Sequence, residues 1–268
     1  MLIGRIIRIV TILLFLGISI FPIFWLILTS LKTPVDISRV TFFFTPTLDN
    51  WRFIFEAWQT LLFLRNSIII TSLSTCLTIA FGTLAAYSFV RHDFRGKESI
   101  YMDILTVRMM PPVVAAVPLF IIAKELGLLN TYIVLIIIYT VFNLPISIWM
   151  MRGFLEEIPL DFEEAALVDG CNRFNAFLRI TLPLSVHGMF STMIICFIFS
   201  WNEFMFGNIF TGTATRPLTV ISAMTMGQRS IMWGAAASLG LFTAAPVVIL
   251  TVIVRKYLAR ALTFGAVR

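Results

Sequence analysis

A chain of 268 residues that is 59% hydrophobic and only 13% charged, with a mean hydropathy of +0.95, is not composed like a soluble domain. Its apolar residues gather in uncharged runs of more than 20 residues, which is what a bilayer core of roughly 30 Å asks of a spanning helix. The formal charge of +6 then reads as the basic excess of cytoplasmic loops and excludes nucleic acid as the partner it would suggest in a soluble protein.

The uncharged runs predict spans over residues 9–31, 66–90, 126–151, 180–202 and 230–254. The first is too long for a signal-peptide core and lacks a small-residue cleavage site, so it is expected to remain as a span. Between spans one and two, Asp49-Asn50-Trp51-Arg52-Phe53-Ile54-Phe55-Glu56-Ala57-Trp58 predicts a short helix capped by Asp49. It lies at the membrane interface, where Trp is favoured, or serves as a docking surface for an external partner. A sixth span over 104–123 is apolar but contains Arg108, Pro111, Pro112 and Pro118, which predict an irregular or kinked helix. The fold class expected is an all-α polytopic membrane protein of about six spans, forming one transmembrane domain over 1–268.

With six spans and a cytoplasmic N-terminus, 12 of the 20 Lys and Arg residues fall on the cytoplasmic side, 7 outside and Arg108 within a span. That bias places both termini in the cytoplasm. Small residues four apart within spans, Gly82 with Ala86, Ala236 with Gly240, and Gly240 with Ala244, fit close helix packing or a lipid-facing stripe.

Reactive chemistry is absent. No G-x-x-x-x-G-K-[ST] phosphate loop occurs, and His92 and His187 have neither H-E-x-x-H nor G-x-S-x-G near them. Cys76, Cys171 and Cys196 form no C-x-x-C pair and support neither a disulfide framework nor a metal site. No cofactor motif is seen. Among intramembrane ionisable residues, Asp103 and Glu203 are expected to snorkel from span ends, and His187 lies just inside the fifth span. Arg108 either pairs inside the bundle or lines a pathway. So thin a set argues against an ion-coupled carrier, and the energy for transport is expected from a partner.

The cytoplasmic loop 152–179 carries six of the 14 acidic residues and is far longer than a connection needs. Asp161 with Glu164 three positions on predicts a capped helix start, and Gly170 predicts its stop. Two turns of helix are unstable unless docked. Asn172 is expected to cap a second helix in which Phe174, Phe177, Leu178 and Leu182 recur at helical spacing, with Pro183 opening the fifth span. This helix-turn-helix either fits a groove on another protein or rests on the bilayer surface.

Glu164, Ala165, Ala166, Gly170, Ile180, Leu182 and Pro183 match in every spacing the EAA motif of ABC-importer permease subunits. The resemblance extends over most of the chain and is to the carbohydrate, maltose-type (MalG-like) branch of binding-protein-dependent transporters. It is carried by Ala85-Ala86-Tyr87-Ser88-Phe89-Val90-Arg91, Pro111-Pro112 with Pro118-Leu119, Gly127-Leu128-Leu129-Asn130-Thr131, Ile158-Pro159, Trp201-Asn202-Glu203-Phe204 and the tail Leu262-Thr263-Phe264-Gly265-Ala266-Val267-Arg268. In the tail, Phe264 and Arg268 depart from the branch, so no contact is assigned there. The resemblance implies a bacterial inner-membrane permease subunit without catalysis of its own. Its partners would be a second homologous permease subunit, two ATP-binding subunits and an external solute-binding protein. A coupling helix at Glu164, Ala165, Ala166 and Gly170 would dock on an ATPase and drive alternating access. The expected cargo is a sugar or oligosaccharide, with amino acids, polyamines or glycerol phosphate as alternatives in the same class. An ion-coupled secondary carrier and a membrane enzyme are the rivals outside it. No residue is assigned to the substrate.

Overall fold

In the computed structural model of the protein, residues 2–225 and 232–264 are described, with side chains for 5, 7–225 and 232–253. The elements in chain order are α1 (Leu2–Ser30), α2 (Pro34–Ser38), α3 (Asp49–Ala57), α4 (Thr60–Arg91), α5 (Lys97–Met109), α6 (Pro112–Glu125), α7 (Tyr132–Glu156) and α8 (Asp161–Val168). They continue with α9 (Arg173–Ala176), a π-helical turn (Phe177–Thr181), α10 (Leu182–Leu184), α11 (Val186–Trp201), α12 (Met205–Phe210), α13 (Leu218–Met224) and α14 (Trp233–Phe264). No strand occurs among the described residues.

Four apolar helical stretches, Ile7–Ser30, Thr60–Arg91, Tyr132–Glu156 and Trp233–Ile253, are long enough to cross a bilayer. Two bent pairs bring the number to as many as six: Lys97–Met109 with Pro112–Glu125, turned by 94°, and Arg173–Leu184 with Val186–Trp201, turned by 72°. The segment 104–123, expected as one irregular span, is therefore two helices meeting at a sharp corner. Met110 is extended (φ −69°, ψ 128°) because it precedes proline, and Pro112 begins the next helix at a position where its missing N–H costs nothing. The expected start of the last span at Ser230, and the tail residues Gly265-Ala266-Val267-Arg268, lie outside the described residues.

The chain divides into two units, Met1–Leu64 with Ile221–Pro246, and Arg65–Val220 with Val247–Arg268. In the first, the Asn50 amide donates to the carbonyls of Ser30 (3.0 Å) and Lys32 (2.8 Å), tying α3 to the end of α1. Lys32 is 1% exposed, its ammonium held over the rings of Trp25 (4.5 Å) and Phe44 (5.1 Å). The expected helix over 49–57 forms, but its cap is corrected: Leu48 occupies the N-cap position and no side chain caps it.

The second unit is built around α7, whose buried residues recur on several faces, from Val134 and Leu135 to Met151 and Leu155. One apolar cluster joins Ile70, Leu135, Tyr139, Phe206 and Phe210, and another joins Ala86, Phe89, Tyr101, Ile148 and Met151. Small residues set two close helix contacts. A Cβ on Gly82 would collide with Ser147, and one on Gly188 with the Phe154 ring, so α4 and α11 each approach α7 where only glycine fits. The α4–α7 seam is lined by hydroxyls: Ser147 donates to the Thr78 carbonyl (3.3 Å) and Thr140 to that of Ser74 (3.4 Å).

Candidate functional site

The segment between α7 and α11 carries the residues singled out from the sequence. Its first helix, α8, runs over the expected residues but is not capped by Asp161. Leu160 already has helical backbone angles (φ −63°, ψ −29°), and its carbonyl accepts the amides of Glu163 (2.9 Å) and Glu164 (3.0 Å). Asp161 falls one step inside the helix, where its charge complements the N-terminal dipole. The stop is as expected. Gly170 is left-handed (φ +88°), its amide bonds to the Leu167 carbonyl (3.1 Å), and that of Cys171 bonds to Ala166 (2.9 Å). This pair is the Schellman closure that favours glycine.

Asn172 caps α9 as expected, its side chain accepting the Asn175 amide (2.8 Å). The second helix is not regular, however: Phe177–Thr181 is a π-turn. Pro183 has no N–H to offer the Arg179 carbonyl and its ring crowds that group, and widening the helix relieves both. Ile180, Leu182 and Pro183 therefore lie on the widened turn and on α10, before the 72° bend into α11.

The two alanines of the motif part company. Ala165, Glu164 and Gly170 are exposed, while Ala166 is buried against the chain's own interior. Around the exposed face stand Leu160, Phe162, Val168 and Phe174, all large, apolar and open. An exposed apolar rim beside a small-residue turn is the shape of a helix that enters a partner's groove.

Glu163, not singled out from the sequence, is the most connected side chain of the segment. It is 5% exposed and accepts from Arg91 Nε, the Tyr87 hydroxyl and the Thr181 hydroxyl, each at 2.7 Å. Arg91 also donates to the Ile158 carbonyl at 2.7 Å. Burial alone pushes the Glu163 carboxyl up, but the Arg91 guanidinium and the Thr181 and Tyr87 hydroxyls outweigh it and hold it below the usual carboxylate range. The sequence signal for Glu163 was slight. It lies three residues before Ala166, and so on the same inward face of α8.

A second feature is a cavity of about 360 Å³ among α5, α6, α7, α11 and the turn before α12. Arg108 projects into it from the last turn of α5, donates to the Phe142 carbonyl (3.0 Å) and lies over the Phe199 ring (4.4 Å). Arg108 thus has a backbone partner on α7 and lines the hollow. Glu203 does not snorkel. It accepts from the Tyr139 hydroxyl (2.8 Å) and from the amides of Phe206 (2.9 Å) and Gly207 (3.1 Å), capping α12 from the cavity wall. Asn143 is 3% exposed. Its amide donates to the Ser200 hydroxyl (2.9 Å), and its carbonyl oxygen has no hydrogen-bond partner among the described residues.

Four to six apolar helical stretches long enough to cross a bilayer, with a hollow in the second unit lined by Arg108, Asn143, Ser200 and Glu203, define the class as a polytopic membrane protein. Residues 78–264 match the family described as the inner membrane component of binding-protein-dependent transport systems, and the chain belongs to it. It is similar to the sulfoquinovosyl glycerol transport system permease protein SmoH of Agrobacterium fabrum, 36% identical over 93% of this chain and 89% of that one. The trehalose/maltose transport system permease protein MalG of Thermococcus litoralis is 34% identical over 98% of this chain and 97% of that one. In fold it is similar to a chain of a bacterial ABC transporter involved in the import of the acidic polysaccharide alginate, with TM-score 0.81, 21% identity and coverage of 95% and 96%. The chain is thus a transport subunit of the inner membrane and not an enzyme, and the system it serves depends on a solute-binding protein.

Proposed function

We propose that the chain is one of two homologous permease subunits that carry a sugar or oligosaccharide across a bacterial inner membrane, powered by two ATP-binding subunits that dock on its exposed segment at Glu164, Ala165 and Gly170. The observation that carries the reading is the left-handed Gly170 turn, which presents a small-residue corner ringed by exposed apolar side chains. Closure of the ATPases would push this segment and shift the bundle between inward- and outward-facing states. The sugar assignment is supported by the names of the similar permeases and by the cavity. Phe142 and Phe199 offer ring surface to the C–H side of a pyranose, and Asn143, Ser200, Tyr139 and Glu203 line the same hollow with groups for its hydroxyls.

The test is uptake by vesicles holding the complete importer with its binding protein. A labelled sugar should enter when ATP is supplied, while amino acids, polyamines and glycerol phosphate should not. Gly170→Val should impose a strained backbone, of about 1 kcal/mol or more, and Ala165→Leu should overfill the corner. Both variants should insert normally yet release the ATPases or leave their hydrolysis unresponsive to substrate, while a Ser99 control does neither. Asn143→Ala should raise the sugar concentration for half-maximal uptake by about fivefold, the effect of one hydrogen bond. Unmodified assembly and uptake in both Gly170→Val and Ala165→Leu would remove the docking role.

A further inference from the structure

The segment that docks on a motor must also be fastened to what it moves, and α8 has little to fasten it. It is eight residues long, too short to persist by itself, and its buried residues are Glu163 and Ala166. Ala166 offers one methyl group, which grips nothing directionally. Glu163 instead holds Arg91 and Tyr87 at the end of α4 and Thr181 in the π-turn, with all three distances at 2.7 Å. Charge-assisted bonds of this kind fix position and angle, whereas apolar contacts permit sliding.

From Arg91, α4 runs unbroken to Ser74, about 25 Å at the helical rise. There the Ser74 hydroxyl lies 3.5 Å from that of Ser200, which accepts from Asn143 on the cavity wall. Thr181 leads the other way, through α10 and the 72° bend into α11, which carries Ser200 itself. Both routes from Glu163 therefore end at the same wall of the cavity.

We infer that Glu163 is a transmission latch, a positioning residue that joins the docking segment to α4 and α11 so that motion of the ATPases reaches the cavity. Glu163 itself takes no part in docking, which falls to the exposed face of α8. The inference rests on the docking reading of that face, and the two fail differently. A docking residue, once changed, loses the ATPases; the latch, once changed, keeps them and loses the transport they drive.

The experiment is the purified complete importer in lipid vesicles, with ATP hydrolysis, sugar uptake and subunit stoichiometry measured on the same preparation. Glu163→Gln keeps the shape and removes the charge. It should retain the ATPases in full ratio and hydrolyse ATP, while sugar delivered per ATP falls by about fivefold or more, the scale of coupling between linked sites. Arg91→Lys, which keeps a cation, should preserve more of that ratio than Arg91→Gln. An unmodified ratio of sugar to ATP in Glu163→Gln overturns the latch, and so does loss of the ATPases from that variant, which would make Glu163 a docking residue. If Glu163→Gln fails to accumulate, Tyr87→Phe and Thr181→Val each remove one donor and are judged by the same ratio. Failure of the docking reading is seen separately, as full assembly and transport in both Gly170→Val and Ala165→Leu.

Discussion

Three donors around Glu163 decide how it titrates. Burial favours the neutral acid, yet Arg91, Thr181 and Tyr87 together favour the carboxylate, so its folded value lies below its unfolded one. The unfolded chain then binds more protons across the interval between the two values. The stabilisation is fully present above the unfolded value of about 4.3 and is lost as pH falls through the folded one. Amide hydrogen exchange over residues 160–172 should therefore speed up as pH is lowered below the ordinary carboxylate range, beyond the intrinsic pH dependence of exchange. Glu163→Gln should weaken protection at neutral pH by about 3 kcal/mol and flatten the acid limb. The other charged or titratable groups facing this site are His92 just past the end of α4, Arg173 on α9 and Glu164 on α8 itself. The difference between native and Glu163→Gln profiles isolates the carboxylate from them, and an unchanged acid limb in the variant would assign it elsewhere. Sequence spacing marked the exposed residues Glu164, Ala165 and Gly170 but passed over Glu163, because its partners lie 72 and 76 positions earlier and 18 later.

At the scale of elements, two glycines that each have an alanine four positions on differ by what faces them. Gly82 and Ala86 sit on a real helix contact: Ser147 occupies the space a Gly82 side chain would need, and Ala86 is fully buried. Gly240 has nothing within 4 Å of where a Cβ would stand, and Ala244 is exposed. Gly82→Val should force α4 from α7 and destabilise by about 1–3 kcal/mol, while Gly240→Ala should be neutral or slightly stabilising through helix propensity. Thermal aggregation of the two variants in detergent checks this, and equal midpoints would contradict it. The bent pairs follow the same logic. Pro111-Pro112 announced an irregularity, but a corner of 94° rather than a mild kink depends on α6 packing against α12 through Phe120 and Phe210.

For the whole molecule, we propose from the bias of basic residues that both termini lie in the cytoplasm. Single cysteines in a Cys-free background test it: a thiol at Ser38 should react with an impermeant reagent from outside, and one at Lys97 only after the inner face is opened. The reverse pattern would invert the topology. Residues 7–24 of α1 are exposed throughout among the described residues, which leaves them to lipid or to another subunit. That exposure fits a chain whose function is completed by partners, as its family membership requires of the binding protein at least.

By itself the sequence determined what depends on local chemistry: apolar length, and with it the membrane class; the left-handed stop at Gly170; the cap at Asn172; and the family, through seven residues at set spacings. Only the tertiary structure decided what depends on distant residues meeting. It buried Ala166 but not Ala165, moved the start of α8 back so that Asp161 no longer caps it, widened the helix before Pro183, and turned Glu203 from a span-end charge into a cap on α12. Caps and glycine turns are settled within a few residues of backbone, so spacing reveals them. A buried carboxylate is stable only where its donors converge, and neither Arg91 nor Tyr87 is near Glu163 until the helices have packed.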